Sequence, residues 1–136
     1  MDFLSDVLYG IDRYLAVQGT MGRMDDRPGL ATALRRGTLE FCVLALLADE
    51  ERYGVELVRQ LGAETALATS EGTLYPLLSR LRRAGFVATT WQESAAGPPR
   101  RYYAITPDGR AALKHFKDEW VTFRRAVDRI VGTESR

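Results

Sequence analysis

The chain has 136 residues, of which 46% are hydrophobic and 27% charged, a balance that excludes wholesale disorder and fits one compact domain with or without helical extensions. Nineteen lysines and arginines against 18 aspartates and glutamates give a net charge of +1, which excludes the globally basic surface of a non-specific nucleic-acid coat. The mostly apolar stretch from Leu39 to Ala48 is too short to cross a membrane, and no secretory leader opens the chain. The single cysteine, Cys42, fits a reducing compartment. We therefore expect a cytoplasmic protein.

The charges are distributed unevenly along the chain. Residues 1–29 contain three arginines and five aspartates, a net of −2, whereas residues 69–106 contain five arginines and two glutamates, a net of +3. A basic segment inside a near-neutral chain indicates one face that is directed at an anion. On charge alone, a solvated helix face followed by a loop is an equally good interpretation.

The first 29 residues predict an amphipathic helix followed by a linker. Apolar residues recur at steps of three and four from Leu4 to Leu15, and residues 18–30 contain three glycines and a proline without periodicity. Met21 or Met24 is an alternative start of the chain, but the regular apolar stripe that precedes them favours a genuine helix.

Residues 38–48 predict a buried helix, because they are almost wholly apolar and too numerous for most strands. We expect Thr38 to cap its first turn. A charged turn over 49–52 follows, and a second, shorter helix begins after it and ends at Gly62.

Residues 69–83 predict a third helix, which ends at Gly85, and residues 63–68 predict the turn that leads into it. Three helices within about 50 residues, joined by short turns, are typical of a helix-turn-helix core.

Residues 86–92 and 101–106 predict two strands, since both are rich in β-branched and aromatic side chains. Between them Gly97, Pro98 and Pro99 predict an end of regular structure, so we expect a hairpin with a tip longer than two residues. Three helices followed by such a hairpin form a winged helix.

Residues 107–136 predict one long helix with Thr106 as its N-cap. Its apolar residues recur at steps of three and four, which is a heptad seam. The seam residues are Leu113, Phe116, Trp120, Phe123, Val127 and Ile130. A domain of this size does not need so long and narrow a seam for its own core, so we expect the helix to pair with a second copy, packed beside the N-terminal stripe. The alternative is that it folds back on its own domain.

Residue types that support catalysis are scarce in this sequence. The one histidine, His115, is expected on the surface and not as a base or a metal ligand. Cys42 lies in an apolar helix, where a thiol acts as a small buried hydrophobic group. The sequence contains no phosphate-binding glycine loop, no nucleophile elbow and no histidine–carboxylate cluster at metal-ligand spacing. We therefore predict no catalytic site, metal or cofactor.

The third helix is the strongest functional signal in the sequence. Four leucines between Leu74 and Leu81, at i, i+3, i+4 and i+7, give it one buried face. The opposite face has small, hydroxylic and cationic side chains, which a helix in the major groove of DNA uses on bases and phosphates. These residues are Gly72, Thr73, Tyr75, Pro76, Ser79, Arg80, Arg82 and Arg83. Because Pro76 removes a helical hydrogen bond, we expect the helix to start near Thr73 or to kink.

The hairpin predicts a second DNA contact. Arg100 and Arg101 follow its tip, and arginine is favoured in a narrow minor groove. On these arginines alone, a solvated loop is as good an interpretation as a DNA contact. The third helix and the hairpin both indicate DNA, however, and together they favour it.

Four segments carry a family resemblance: LRRGTLEFCVLALL (34–47), YGVEL (53–57), EGTLYPLLSRLRRAGFV (71–87) and GPPRRYYAITPDGRAAL (97–113). In these segments the chain resembles the PadR-like transcriptional regulators. The resemblance implies a winged helix-turn-helix homodimer that represses transcription from a partly palindromic operator and dimerises through its C-terminal helix.

The resemblance also implies roles for individual residues. It places the groove helix at about 70–84, which includes Ser70, and matches Tyr75 to a tyrosine that contacts the DNA backbone. It assigns Gly97, Arg100 and Arg101 to the wing.

Trp120 lies in the middle of the seam, where two copies would face each other across a dimer axis. Some small family members bind planar aromatic compounds at this place, and Phe116 and Phe123 are expected to line the same pocket. The alternative is ordinary core packing of an aromatic heptad residue.

The sequence therefore predicts a mainly α fold with a small β-hairpin, divided into an N-terminal helix and linker (1–29), a winged helix-turn-helix domain (30–106) and a C-terminal dimerisation helix (107–136). The predicted function is a homodimeric regulator that binds double-stranded operator DNA, a repressor released by a small planar ligand. The alternatives are a winged-helix module that binds another protein and a small-molecule sensor without DNA binding, and an enzyme ranks last.

Overall fold

The computed structural model describes residues 30–134, so the predicted helix and linker over 1–29 lie outside the described residues. The described part is mainly helical with a small antiparallel sheet, which confirms the predicted fold class. Its helices are α1 (Leu30–Arg35), α2 (Thr38–Asp49), α3 (Gly54–Gly62), the 3-10 helix Thr65–Leu67, α4 (Glu71–Arg83) and α5 (Pro107–Val131). Its strands are β1 (Arg52–Tyr53), β2 (Val87–Ser94) and β3 (Gly97–Ile105). None of these helices is long and apolar enough to span a membrane.

The sheet has the order β1-β3-β2, and β2 and β3 form the hairpin that we call the wing. Strand β1 was not predicted, because Arg52 ends the segment 49–52 that the sequence marks as a charged turn and two residues are too few for a strand pattern. Arg52 is nevertheless buried, opposite Tyr103 of β3. Its Nε donates to the Leu46 carbonyl at 3.3 Å and its Nη1 lies 3.3 Å from a Glu50 carboxylate oxygen, so the buried cation keeps polar partners.

The core lies between α2, α3, α4 and the inner face of the sheet. Every leucine of the predicted α4 stripe is buried, which confirms that face of the helix. Burial of such side chains is the main favourable term in folding. The buried apolar residues are Leu39, Phe41, Val43, Leu44, Leu47, Leu57, Leu61, Leu74, Leu77, Leu78, Leu81, Val87, Tyr103 and Leu113.

The start of α5 is fixed tightly to the base of the wing. The Thr106 hydroxyl accepts from the Gly109 N–H at 3.0 Å, as a predicted N-cap should, and donates to the Gly85 carbonyl at 2.6 Å. A Cβ at Gly109 would overlap the carbonyl oxygen of Phe86, so only glycine permits this close approach.

The two halves of α5 have different surroundings. Leu113 is buried, and Phe116 stacks on Phe41 of α2 with ring centroids 3.9 Å apart. Phe123 is 54% exposed and Ile130 is 87% exposed. The first half of the seam thus packs on its own domain, as the fold-back alternative required, while the second half does not.

The prediction that Thr38 caps α2 is wrong. The N-cap is Gly37, whose φ of 86° is in the left-handed region that glycine adopts without strain. This conformation brings the end of α1 close to the start of α2. The Thr38 hydroxyl is therefore occupied with α1 and donates to the Arg35 carbonyl at 3.0 Å.

The predicted long hairpin tip is also wrong, because the tip is a two-residue turn at Ala95 and Ala96 and the strands extend to it. Gln92 pairs with Arg100 and Ser94 with Gly97, so β3 has one extra residue between these pairs. This bulge contains Pro98 and Pro99. Proline is tolerated at a bulge because no ladder hydrogen bond is required there.

Helix α4 begins at Glu71, two residues before Thr73, and continues through Pro76. It ends as predicted before Gly85, whose φ of 82° allows the Phe86 N–H to return to the Leu81 carbonyl at 3.0 Å.

Candidate nucleic-acid interface

The outer side of α4 is polar and exposed along its whole length. All eight residues that the sequence placed opposite the leucines are exposed: Gly72, Thr73, Tyr75, Pro76, Ser79, Arg80, Arg82 and Arg83. We call these eight residues the exposed face of α4. Ser70 is its N-cap and accepts from the Thr73 N–H at 3.3 Å, so it orders the first turn of the helix.

Tyr75 is held in place by a glycine of α3. A Cβ at Gly54 would lie 2.5 Å from the Tyr75 hydroxyl oxygen, so the absence of a side chain at Gly54 makes room for the phenol. Burial raises the pKa of Tyr75, and the Glu71 carboxylate and Tyr103 raise it further. The phenol therefore keeps its proton at neutral pH and can donate it to a phosphate oxygen.

The arginines of α4 differ in how they are held. Arg80 donates through Nε and Nη2 to one Glu40 carboxylate oxygen, at 3.2 and 2.9 Å. Arg83 donates through Nε to the Ser79 carbonyl at 3.4 Å, and Arg82 extends into solvent. Arg80 thus links α4 to α2, a role that the sequence did not predict, and Arg82 and Arg83 present the more accessible charge.

A cleft of about 500 Å³ lies between the start of α4 and the junction of α1 with α2. Arg35, Arg36 and Arg80 line it, together with the hydroxyls of Ser70 and Thr73. The first two arginines were missed as site residues, although the pair stands in the segment LRRG, because only the fold brings them beside α4. The cleft extends the basic surface of α4 towards α1.

The wing places its two arginines on opposite sides of one strand, since neighbouring side chains alternate. The Arg101 guanidinium lies over the Trp91 ring at 5.3 Å, and the Arg100 guanidinium lies over the Tyr53 ring at 4.6 Å. Gly97 pairs with Ser94 beside the tip. The aromatic partners were not predicted, because each belongs to another strand.

The three residues predicted to line a ligand pocket lie together on α5. The ring centroids of Phe116 and Trp120 are 5.7 Å apart, and those of Trp120 and Phe123 are 6.3 Å apart. Trp120 is half-buried, and the rings form a ladder from the core to the exposed end of the seam.

The groups considered for catalysis have ordinary surroundings. His115 is exposed, and burial raises the pKa of the Cys42 thiol, which keeps the sulfur protonated and weakly nucleophilic. Within residues 30–134, no group of three histidine, cysteine or acidic side chains is placed to hold a metal ion.

Comparison with known proteins places the chain. The model of the transcriptional regulator PadR-like family matches residues 43–115, more than half of the chain. A protein of Mycobacterium tuberculosis named as a transcriptional regulator is 38% identical over 79 residues, which cover 58% of this chain and 72% of that protein.

Solved structures agree with this match. A PadR family transcriptional regulator from Eggerthella lenta superposes with a TM-score of 0.68 at 34% identity, over 78% of this chain and 92% of that one. A PadR-like transcriptional regulator from Bacillus cereus gives a TM-score of 0.65 at 36% identity, over 72% of this chain and 95% of that one. With its leucine-backed α4, its wing and these matches, the chain belongs to the PadR-like family of transcriptional regulators.

Proposed function

We propose that this regulator is a homodimeric repressor that binds a partly palindromic operator through α4 and the wing. The observation that carries the proposal is the exposed face of α4, where small, hydroxylic and cationic side chains stand opposite a fully buried leucine stripe. Such a helix fits the major groove with its polar side towards the bases and its apolar side in the core.

The roles on α4 follow from how each side chain is held. Arg83 and Ser79 lie in the middle and end of the exposed face, where they reach base edges, and arginine recognises guanine O6 and N7. The Tyr75 hydroxyl donates to a phosphate, and Arg82 supplies charge to the backbone.

The wing and the cleft supply the flanking contacts. Arg100 and Arg101 approach a phosphate or the minor groove beside the hairpin, with Gly97 at the start of the strand that carries them. Arg35 and Arg36 add positive charge on the other side of α4. Phosphate contacts of this kind fix the register of a protein on the duplex.

The exposed half of the α5 seam supports the homodimer. Phe123, Val127 and Ile130 form an apolar row that the chain does not cover within its described part. A second copy buries this row and places two α4 helices on half-sites about one helical turn apart, roughly 10–10.5 bp.

Release by a planar ligand rests on Trp120. Within one chain its ring already stacks near Phe116 and Phe123, so a ligand would enter between the two Trp120 rings of the dimer. Titration of planar dyes against tryptophan emission tests this, and a lack of any response in the dimer would contradict it.

The experiment for the function is fluorescence anisotropy with duplexes tiled across the region upstream of the gene, at two salt concentrations, against scrambled DNA. We expect one duplex to bind two chains tightly, with an affinity that falls steeply as the salt concentration rises. Arg100→Ala should weaken all duplexes alike and reduce the salt slope by about one. Arg125→Ala, a charge-matched control on α5 outside the seam, should leave binding unchanged.

Weak and equal binding to every duplex would contradict the operator proposal and favour a protein-binding or ligand-sensing role for the winged helix. Repression itself is tested by a reporter under the bound promoter. Deleting the regulator should raise expression, and a fall in expression would identify an activator instead.

A further inference from the structure

One large aromatic side chain on the wing is exposed to solvent. Trp91 of β2 is 66% exposed, although tryptophan is the largest apolar side chain of the protein. It stands directly opposite Arg101 in the β2–β3 register, and the two side chains are in contact as a cation over a ring.

This pair lies on the same side of the sheet as α4. Thr89 pairs with Tyr103 in the register. Thr89 lies two residues before Trp91 on β2, and Tyr103 lies two residues after Arg101 on β3. Side chains two residues apart on a strand share a face, so all four side chains lie on the same face. Tyr103 is buried in the same core cluster as Leu74 and Leu78 of α4. The Trp91–Arg101 pair therefore continues, beyond the edge of the core, the sheet face on which α4 packs.

The second arginine provides an internal comparison. Arg100 and its partner Tyr53 lie on the other face, together with Tyr102, whose ring meets Tyr53 edge to face at 5.6 Å. Tyr53 ends β1 and is the N-cap residue of α3, where its N–H donates to the Glu56 carboxylate at 3.4 Å. Arg100 thus rests on the body of the domain, whereas Arg101 rests on a ring that is itself open to solvent.

The Arg101 guanidinium is also partly dehydrated. Its Nε is buried and has no hydrogen-bond partner among the described residues. Leaving a buried donor unsatisfied costs free energy, so part of the cost of dehydrating this cation is already incurred in the free protein. Acceptors and strong negative potential are what a narrow minor groove offers to arginine.

We propose that Trp91 and Arg101 form one DNA-contact unit of the wing. The indole packs against a deoxyribose that borders the minor groove and holds the Arg101 guanidinium for insertion into that groove. Part of the dehydration and ordering of the arginine is complete before DNA arrives, which lowers the cost of insertion. This inference rests on the proposed function, because it assigns a further contact to the same interface.

A double-mutant cycle tests the unit by anisotropy on the tightest tiled duplex. W91A and R101A should each lower affinity roughly fivefold to tenfold, and the double variant should be no more than about twofold weaker than the weaker single variant. W91F keeps a ring beneath the cation and should recover most of the affinity. R100A combined with W91A should lower affinity by the product of the two single effects, since Arg100 uses another ring.

Tryptophan emission gives a direct second measurement, because the chain has two tryptophans, Trp91 and Trp120. In the W120F variant, once it is shown to bind the duplex as a dimer, all emission comes from Trp91. It should be quenched as the duplex is added, at the concentration where anisotropy rises. Thermal unfolding of W91A should match the wild type, since the ring is mostly exposed.

Three outcomes would overturn the inference alone: W91A affinity within twofold of the wild type, full multiplicativity of W91A with R101A, or unchanged Trp91 emission during binding. A wild-type protein that binds no duplex, whether tiled or random at low salt, would overturn the proposed function and this inference with it.

Discussion

Helices α4 and α5 both have an apolar stripe at helical spacing, but they use it differently. In α4 the whole stripe is inside the domain, and what remains exposed is polar and cationic. In α5 only the first half of the stripe is buried: Leu113 lies in the core, while Phe123, Val127 and Ile130 are exposed to solvent. The first surface suits a hydrated, charged partner such as DNA, and the second suits a partner that excludes water.

Truncating one apolar side chain in each helix tests this difference most directly. Leu78 is 0% exposed, so Leu78→Ala should lower the free energy of unfolding by about 2–5 kcal/mol through lost burial and a cavity. Denaturant unfolding at several protein concentrations measures it. The stability lost in Leu78→Ala should not depend on protein concentration. The stability lost in Ile130→Ala should depend on it, because the Ile130 side chain acts only between copies. Equal behaviour of the two variants would remove the contrast.

A charge in the α5 seam should separate the copies without unfolding them. Val127→Glu places a carboxylate in the apolar row, where the single chain leaves the position exposed. We expect sedimentation to change from dimer to monomer and DNA affinity to fall about 100-fold, since two half-sites are no longer bound together. Thr122→Glu, an exposed position off the seam that receives the same change of charge, is the matched control. A dimer that survives Val127→Glu would show that another surface joins the copies.

On α4 the prediction concerns specificity. Arg83→Ala should cost about 1–3 kcal/mol of binding free energy on the operator and relax the preference at one base pair. Competition between operator and single-base variants measures it. Arg82→Ala should instead weaken all duplexes alike. If the two variants behave identically, Arg83 contacts backbone and not bases.

The smallest expected effect is at Tyr75. Tyr75→Phe removes one hydroxyl donor and should weaken DNA binding by about 1 kcal/mol with little change in fold. Loss of binding beyond about 2 kcal/mol would point to a rearranged helix, which circular dichroism would detect.

The same variant tests the titration of the phenol. The pKa of Tyr75 is raised in the folded protein, chiefly by burial, so its contribution to stability is complete below the ordinary value of about 10 and is lost as the pH rises through the folded value. The difference in unfolding free energy between wild type and Y75F should therefore stay constant from about pH 6 to 9 and turn against the wild type above about pH 10. A change below pH 9 would contradict this.

The α4 face was predictable because helical periodicity depends only on local spacing, and its leucines are buried as expected. Local rules failed where the chain is shaped by contacts between segments. Thr38 looks like a cap, but Gly37 takes that place, and Pro98 and Pro99 look like a loop, but a bulge accommodates them within β3. The support of Tyr75 by Gly54 and of Arg101 by Trp91 joins residues that are distant in sequence, so no local pattern indicates either contact.

The attachment of α5 to the base of the wing has a mechanical consequence. The contacts of Thr106 and Gly109 fix the start of α5 to the base of the wing. From there α5 is a continuous helix of 25 residues, which is about 37 Å long. Such a helix acts as a lever: in the proposed dimer, a tilt of about 5° at the far end moves the near end by about 3 Å. That displacement is close to the ~3.4 Å rise of one base pair. The angle at which two copies cross therefore sets the distance between their DNA-contacting surfaces, and the length of the arm makes that distance sensitive to small changes in packing.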